Sequence, residues 1–323
     1  MKNKIITRLN ELEKIVGNTP LIKIPYYFAG KYRKVYAKLE WYNPTGSIKD
    51  RAAFSMIKSA YEKDLLEPQK RIIEATSGNM GLSLCFFAAQ LGNPVTLVMP
   101  KSVSEERKKL FNLYGIDVHY TETMQEAVEM AEELAKKLDA FWPNQFDNSD
   151  NVFGQSKIAN EIMRSIKGTH CRLNNGMAFI SGVGSSGTLT GVAYGLHEHM
   201  PNNRIYCIEI SQAPIFSDYT PGTHHIQGLS DGRIPNNFVR SLVDYYIKVD
   251  ENDVIAMAQK LNKAGYPVGL SGAANFLGAV LSAEPCCFTV FPDDNKKYLS
   301  TELTIPRESA LVNNIRIAKH KIL

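Results

Sequence analysis

Cysteine is scarce in this chain, five residues in 323, and none forms a C-x-x-C pair. The set Cys85, Cys171, Cys207, Cys286 and Cys287 is odd in number. Cys85, Cys207 and the adjacent Cys286 and Cys287 sit inside apolar runs, where a thiol packs as a small hydrophobe. That pattern argues against a disulfide framework or a zinc site and suits a reducing compartment. Long apolar runs are also missing. The longest, Leu82 to Ala89, falls far short of the roughly 20 residues of a membrane span. The stretch Met1 to Arg8 lacks the apolar core of a signal peptide, so a cytoplasmic location is expected. No Lys/Arg block with interleaved aromatics accompanies the net charge of +4, which gives no footprint for nucleic acid. The basic stretch Arg316 to Lys321 reads as a solvated helix face or a loose tail. Neither internal repeats nor low-complexity segments occur.

What is present is ordinary for a globular protein, with 44% hydrophobic and 22% charged residues. A length of 323 residues suits two domains. Strand-like and helix-like segments alternate. Strands are expected at 35–41, 71–76, 94–99, 117–121, 177–181, 204–210 and 287–291, with helices after Lys49, at 78–91, from Ser104, at 125–138 and from Ser186. Alternation of this kind implies mostly parallel sheets flanked by helices, an α/β fold. The polar break Trp142-Pro143-Asn144-Gln145 marks a change of domain. The segment 211–237 is rich in Pro and Gly and poor in periodicity, and a loop that long inside a compact domain points to function.

Four motifs carry chemistry. Asn43-Pro44-Thr45-Gly46-Ser47-Ile48-Lys49 sets a lysine where a helix leaves a Pro/Gly turn, since Ala52, Ala53, Met56, Ile57 and Ala60 follow at helical spacing. A solvated surface lysine is the plain alternative for any one such residue. Thr76-Ser77-Gly78-Asn79-Met80-Gly81 joins a strand to a helix. Gly182-Val183-Gly184-Ser185-Ser186-Gly187-Thr188 does the same, with backbone N–H groups and a helix dipole suited to an anion. Gly269-Leu270-Ser271-Gly272-Ala273-Ala274 is the fourth. Taken alone, the third also satisfies G-x-G-x-x-G with Glu209 about 22 residues on, a dinucleotide pattern. That reading leaves Lys49 and the Thr76–Gly81 loop unexplained.

In this order, from Gly17-Asn18-Thr19-Pro20-Leu21 to Tyr298-Leu299-Ser300-Thr301, the chain resembles the cysteine synthase and cystathionine β-synthase family of fold type II pyridoxal 5'-phosphate (PLP) enzymes. The resemblance implies a small, mobile domain (41–146) that closes over substrate and a large PLP-binding domain (1–40 and 147–323). It implies PLP as cofactor, an amino-acid substrate, a homodimer, and β-replacement through an α-aminoacrylate. By the same likeness Lys49 is the Schiff-base lysine, and Gly184, Ser185, Ser186, Gly187 and Thr188 hold the phosphate. Ser271 faces the pyridine nitrogen, with a helix N-cap as its plain alternative. Thr76, Ser77, Asn79, Met80 and Gln145 meet the substrate carboxylate, Asn79 also reaching the phenolic oxygen. For Gln145 the alternative is a solvated loop residue. Nothing in the sequence identifies a serine acetyltransferase partner.

The chain departs from that family at several points. Ser185-Ser186-Gly187-Thr188 replaces Thr-Gly-Gly-Thr, Met80 replaces a common threonine, and Gly269 to Gly272 is one serine short of Gly-Ile-Ser-Ser-Gly. In Ile226-Gln227-Gly228-Leu229-Ser230-Asp231-Gly232-Arg233-Ile234-Pro235, Asp231 stands for a small alanine and Arg233 for a phenylalanine. Hydrosulfide needs no base to attack an electrophilic Cβ, whereas water does. Asp231 therefore favours cysteine plus water giving serine plus hydrogen sulfide, the reaction of the hydrogen-sulfide-releasing members. Its alternative is a structural pair with Arg233 or a turn with Gly232. Cysteine synthesis from O-acetylserine is the second reading, and cystathionine formation or use of O-phosphoserine, through a phosphate bound by Arg233, the third. A silent homologue that binds PLP or a partner is the reading from a different class.

Overall fold

Five strands, Ile72–Ala75, Val95–Pro100, Ala178–Gly182, Arg204–Ile210 and Cys286–Phe291, are buried almost end to end. Unbroken burial of this kind is what helices on both faces of a parallel sheet produce. The structure, a computed structural model, describes residues 2–167, 176–229, 232–318 and 321–322. In chain order its elements are α1 (Lys2–Glu13), β1 (Leu21–Phe28), β2 (Lys31–Leu39), α2 (Lys49–Glu62), β3 (Ile72–Ala75), α3 (Asn79–Leu91), β4 (Val95–Pro100), α4 (Glu105–Tyr114), β5 (Asp117–Thr121), α5 (Met124–Lys137), α6 (Ser149–Ile166), β6 (Ala178–Gly182), α7 (Gly187–His199), β7 (Arg204–Ile210), β8 (Tyr245–Val249), α8 (Glu251–Lys263), α9 (Leu270–Leu281), β9 (Cys286–Phe291), α10 (Ala310–Asn313), β10 (Arg316–Ile317) and β11 (Lys321–Ile322).

The larger sheet runs β10-β1-β2-β9-β6-β7-β8, with β11 also paired to β1. From β2 to β8 the neighbours are parallel, and β1 is antiparallel to its partners. The smaller sheet, β3-β4-β5, is wholly parallel. This is the mostly parallel α/β architecture expected from the alternation. Every strand of the smaller sheet falls inside residues 41–146, and every strand of the larger one falls outside. Apolar residues of α8 and α9 cover one face of the larger sheet, and α6 and α7 the other. The smaller sheet is packed between α1 to α4 on one side and α5 on the other.

One local expectation changes. Arg316–Ile317 is neither a helix face nor a tail but a short strand antiparallel to β1, with the Arg316 guanidinium 4.3 Å from the Tyr27 ring centroid. Helix α6, which the alternation does not single out, follows the polar break at 142–145; Asn148 caps it through Asp150 N, and Ile158, Ile162 and Ile166 bury one face. Cys85, Cys207 and Cys287 are buried thiols, each pushed up in pKa by burial, Cys85 to about 12. Cys171 lies outside the described residues. Among the described residues no helix is long and apolar enough to cross a membrane.

Candidate active site

The turn before Lys49 is closed by the side chain that follows it. Asp50 accepts from Thr45 N at 2.7 Å, Thr45 Oγ1 at 2.6 Å and Ser83 Oγ at 2.6 Å. Burial raises the Asp50 carboxyl and these donors oppose the shift. Gly46 supplies the left-handed φ of +76° that the turn requires. Next in the chain, Arg51 donates to Glu40 at 2.6 Å and to Glu161 at 2.6 Å, and Lys38 donates to Glu161 at 2.6 Å, all four side chains buried. Burial alone would raise the Glu161 carboxyl, yet Arg51 and Lys38 hold it at about 2. These ties fix α2 to β2 and α6, so Lys49 stands on a rigid base with its Nζ donating to Ser185 Oγ at 3.4 Å.

Ser185 belongs to the loop between β6 and α7. Its Oγ also accepts from Asn151 Nδ2 at 3.1 Å, and its carbonyl accepts from Asn237 Nδ2 at 3.2 Å. Gly182 N donates to Asn275 Oδ1 at 2.7 Å, so α9 supports the same loop. Gly187 is required, because a β-carbon there would come within 2.0 Å of Asn151 Oδ1. Ser186 takes a left-handed φ of +63°, a conformation better suited to glycine. Thr190 Oγ1 donates to Asn237 O at 2.8 Å, which leaves it to accept from Ser186 Oγ at 3.1 Å. The extra hydroxyl is therefore spent inside α7.

Facing this loop is the junction of β3 and α3. Lys49, Thr76, Ser77, Asn79, Met80, Gln145, Gly184, Ser185, Ser186, Thr188 and Ser271 line one cleft. It encloses about 790 Å³ of empty space including its open mouth. Gly187 is behind the lining, in the first turn of α7. Asp231 lies outside the described residues, while Gln227, Gly228 and Leu229 before it line the cleft and Gly232 after it lines an adjoining hollow. Gln145 is 4% exposed rather than solvated, with Nε2 donating to Ala75 O at 2.9 Å. Ser271 is the second residue of α9, whose N-cap is Gly269, which removes the capping alternative. Glu209 Oε2 accepts from Phe216 N at 2.9 Å and Ser217 N at 3.2 Å, so the carboxylate of the dinucleotide pattern tethers a loop. Arg233 sits over the Phe146 ring, 5.1 Å from its centroid.

Residues 12–285 match the family model described as pyridoxal-phosphate dependent enzyme. The chain belongs to this family. A cysteine synthase of Staphylococcus aureus is 34% identical over 305 residues, 91% of this chain and 97% of that protein. A hydrogen sulfide-producing enzyme from Fusobacterium nucleatum is 36% identical at a TM-score of 0.92, covering 98% of this chain and 100% of that one. An aspartate-to-asparagine variant of the same enzyme, complexed with an α-aminoacrylate intermediate, matches at 36% identity and TM-score 0.92 over 97% and 98%. A cysteine synthase from Entamoeba histolytica is 30% identical at TM-score 0.84 over 94% and 93%.

The donor set fits PLP. An amine, a strand-to-helix anion loop and the Ser271 hydroxyl, which has no hydrogen bond among the described residues, converge on one cleft. Sequence reasoning missed how Asn79 is oriented. Its Nδ2 donates to Asp293 Oδ2 at 2.7 Å and its Oδ1 accepts from Lys297 Nζ at 3.1 Å, which fixes which end of the amide is the donor. Tyr298 OH donates to the same Asp293 oxygen at 2.6 Å. These bonds cross more than two hundred residues, so no local pattern signals them.

Glu74, wholly buried beneath this wall, accepts from Ala75 N at 3.0 Å and Gln145 N at 3.3 Å. Burial pushes its carboxyl up to about 8, against those N–H donors and the charge of Lys49. An unfolded glutamate titrates near about 4.3. The native state thus keeps a proton that the unfolded chain has lost over roughly pH 5 to 8, a contribution present below that window and lost as pH rises through it. Melting curves of Glu74→Gln and the parent should coincide near about pH 5 and separate toward about pH 8 in favour of the variant. Parallel curves across that range would contradict the assignment.

Proposed function

We propose that this PLP-dependent enzyme converts L-cysteine and water into L-serine and hydrogen sulfide. The observation that carries the reading is the acidic residue Asp231, two positions along the sequence from the cleft-lining run Gln227, Gly228 and Leu229, where O-acetylserine-using relatives have alanine. Likeness to the hydrogen sulfide-producing enzyme along nearly the whole chain supports it.

Lys49 would hold the cofactor, and its Nζ would take up the Cα proton of the substrate. Bound PLP supplies the electron sink. The Gly184–Thr188 loop at the start of α7 would bind the phosphate through backbone N–H groups, and Asn79, held by Asp293 and Lys297, would donate to the phenolic oxygen. Ser271 meets the pyridine nitrogen. Thr76, Ser77 and Gln145 seat the carboxylate, and Met80 fills the place of a lost hydroxyl contact. The Cβ–S bond would break with sulfur leaving as hydrosulfide, Asp231 would take a proton from water as the Cβ–O bond forms, Lys49 would return its proton to Cα, and the proton on Asp231 would pass to hydrosulfide to give hydrogen sulfide. Residues of 41–146 and residues of the rest of the chain both line the cleft, so movement of one against the other would close it. The same reading takes the enzyme as a cytoplasmic homodimer.

Cysteine synthesis from O-acetylserine and sulfide is the second reading, favoured by the 34% identical cysteine synthase. Parallel assays decide between them. The specificity constant for L-cysteine alone should exceed that for O-acetylserine with sulfide by about tenfold or more, a difference of about 1.4 kcal/mol in transition-state binding. The reverse order would favour cysteine synthesis.

A further inference from the structure

Arg107, on α4, is 2% exposed and lines the cleft, yet its Nε and Nη1 are buried with no hydrogen-bond acceptor. It forms no ion pair among the described residues, and its guanidinium lies over Tyr298, 4.8 Å from the ring centroid, where its charge also acts on the phenol. Asp293, the buried carboxylate in the same wall, is engaged by Asn79 and Tyr298 instead. Lys297, the neighbouring buried cation, donates to Thr45 O, Gly46 O and Asn79 Oδ1. A buried guanidinium left without an anion is costly, and the cost is recovered only when an anionic ligand reaches it.

Contact decides which anion. The Arg107 stem lies against Gly78, where a β-carbon would come within 2.3 Å of Arg107 Cδ, and Gly78 holds φ at +146°. The guanidinium is thus packed against the Thr76–Asn79 loop, whereas the loop read as the phosphate cradle is the separate junction of β6 and α7. We propose that Arg107 supplies the positive charge that binds the α-carboxylate of the amino-acid substrate, an inference that rests on the reading above. The loop alone offers neutral N–H and hydroxyl donors. Arg107 adds the net charge that distinguishes a free amino acid from its ester or amide.

The test is a spectral titration of the PLP-loaded enzyme, parent, Arg107→Met and Arg107→Lys, with L-cysteine and with L-cysteine methyl ester. The parent should prefer the acid. Arg107→Met should weaken L-cysteine binding about 100-fold and ester binding less than about threefold, with Arg107→Lys restoring part of the preference. Cofactor affinity should stay at the parent value. Equal weakening of acid and ester, or a parent without acid preference, would overturn the proposal. Loss of PLP from Arg107→Met would also overturn it, by making the arginine a partner of the phosphate. Because binding is read from the absorbance change on rapid mixing, before sulfide is released, these results stand apart from failure of the parent to release sulfide, which would count against the reaction.

Discussion

Replacing Lys49 with alanine is expected to lower sulfide release from L-cysteine by about 10³-fold or more, since one amine both holds the cofactor and moves the Cα proton. The loss should be chemical and not structural. Helix α2 is held by the Asp50 turn and by the buried Lys38, Glu40, Arg51 and Glu161 cluster, none of which needs the Lys49 amine. Unfolding free energy should therefore change by no more than about 1 kcal/mol. Cofactor absorbance should shift from that of a covalently held group to that of a non-covalently bound one. Sulfide release within about tenfold of the parent would remove Lys49 from both roles.

Asp231→Asn is the second large effect. Asparagine keeps the size and polarity of the side chain but cannot take a proton from water, so serine formation from L-cysteine should fall by about 100-fold. Exchange with sulfide should change little, because hydrosulfide is anionic near neutral pH and attacks unaided. The two activities, measured side by side, separate a lost base from a damaged cleft. A variant that makes serine as fast as the parent would leave Asp231 a turn or pairing residue.

The parts of this molecule that were legible in the sequence are those whose signal is local. Strands β3, β4, β6 and β7 follow from short apolar runs, and α2 from the spacing of Ala52, Ala53, Met56, Ile57 and Ala60. The four strand-to-helix or turn-to-helix junctions that meet at the cleft were visible as Gly-rich punctuation. Strand β8 was not, because Tyr245–Val249 is an edge strand, exposed or half-buried over most of its length, without the apolar run of its neighbours. The orientation of Asn79 was hidden as well, being set by Asp293 and Lys297 from the far end of the chain. Arg107 read as one more charge on a charged helix. Its burial against Gly78 and Tyr298 is a product of tertiary packing. Ser186 shows the converse case, a sequence change whose meaning only geometry gives, since its hydroxyl turns back to Thr190.

The central claim is that water adds at Cβ. Purified enzyme incubated with L-cysteine alone in water enriched in heavy oxygen should yield serine carrying the label in its hydroxyl, with one sulfide for each serine. Sulfide accompanied by pyruvate and no labelled serine would contradict water addition, and absence of sulfide while O-acetylserine is consumed in a parallel tube would make the protein a cysteine synthase.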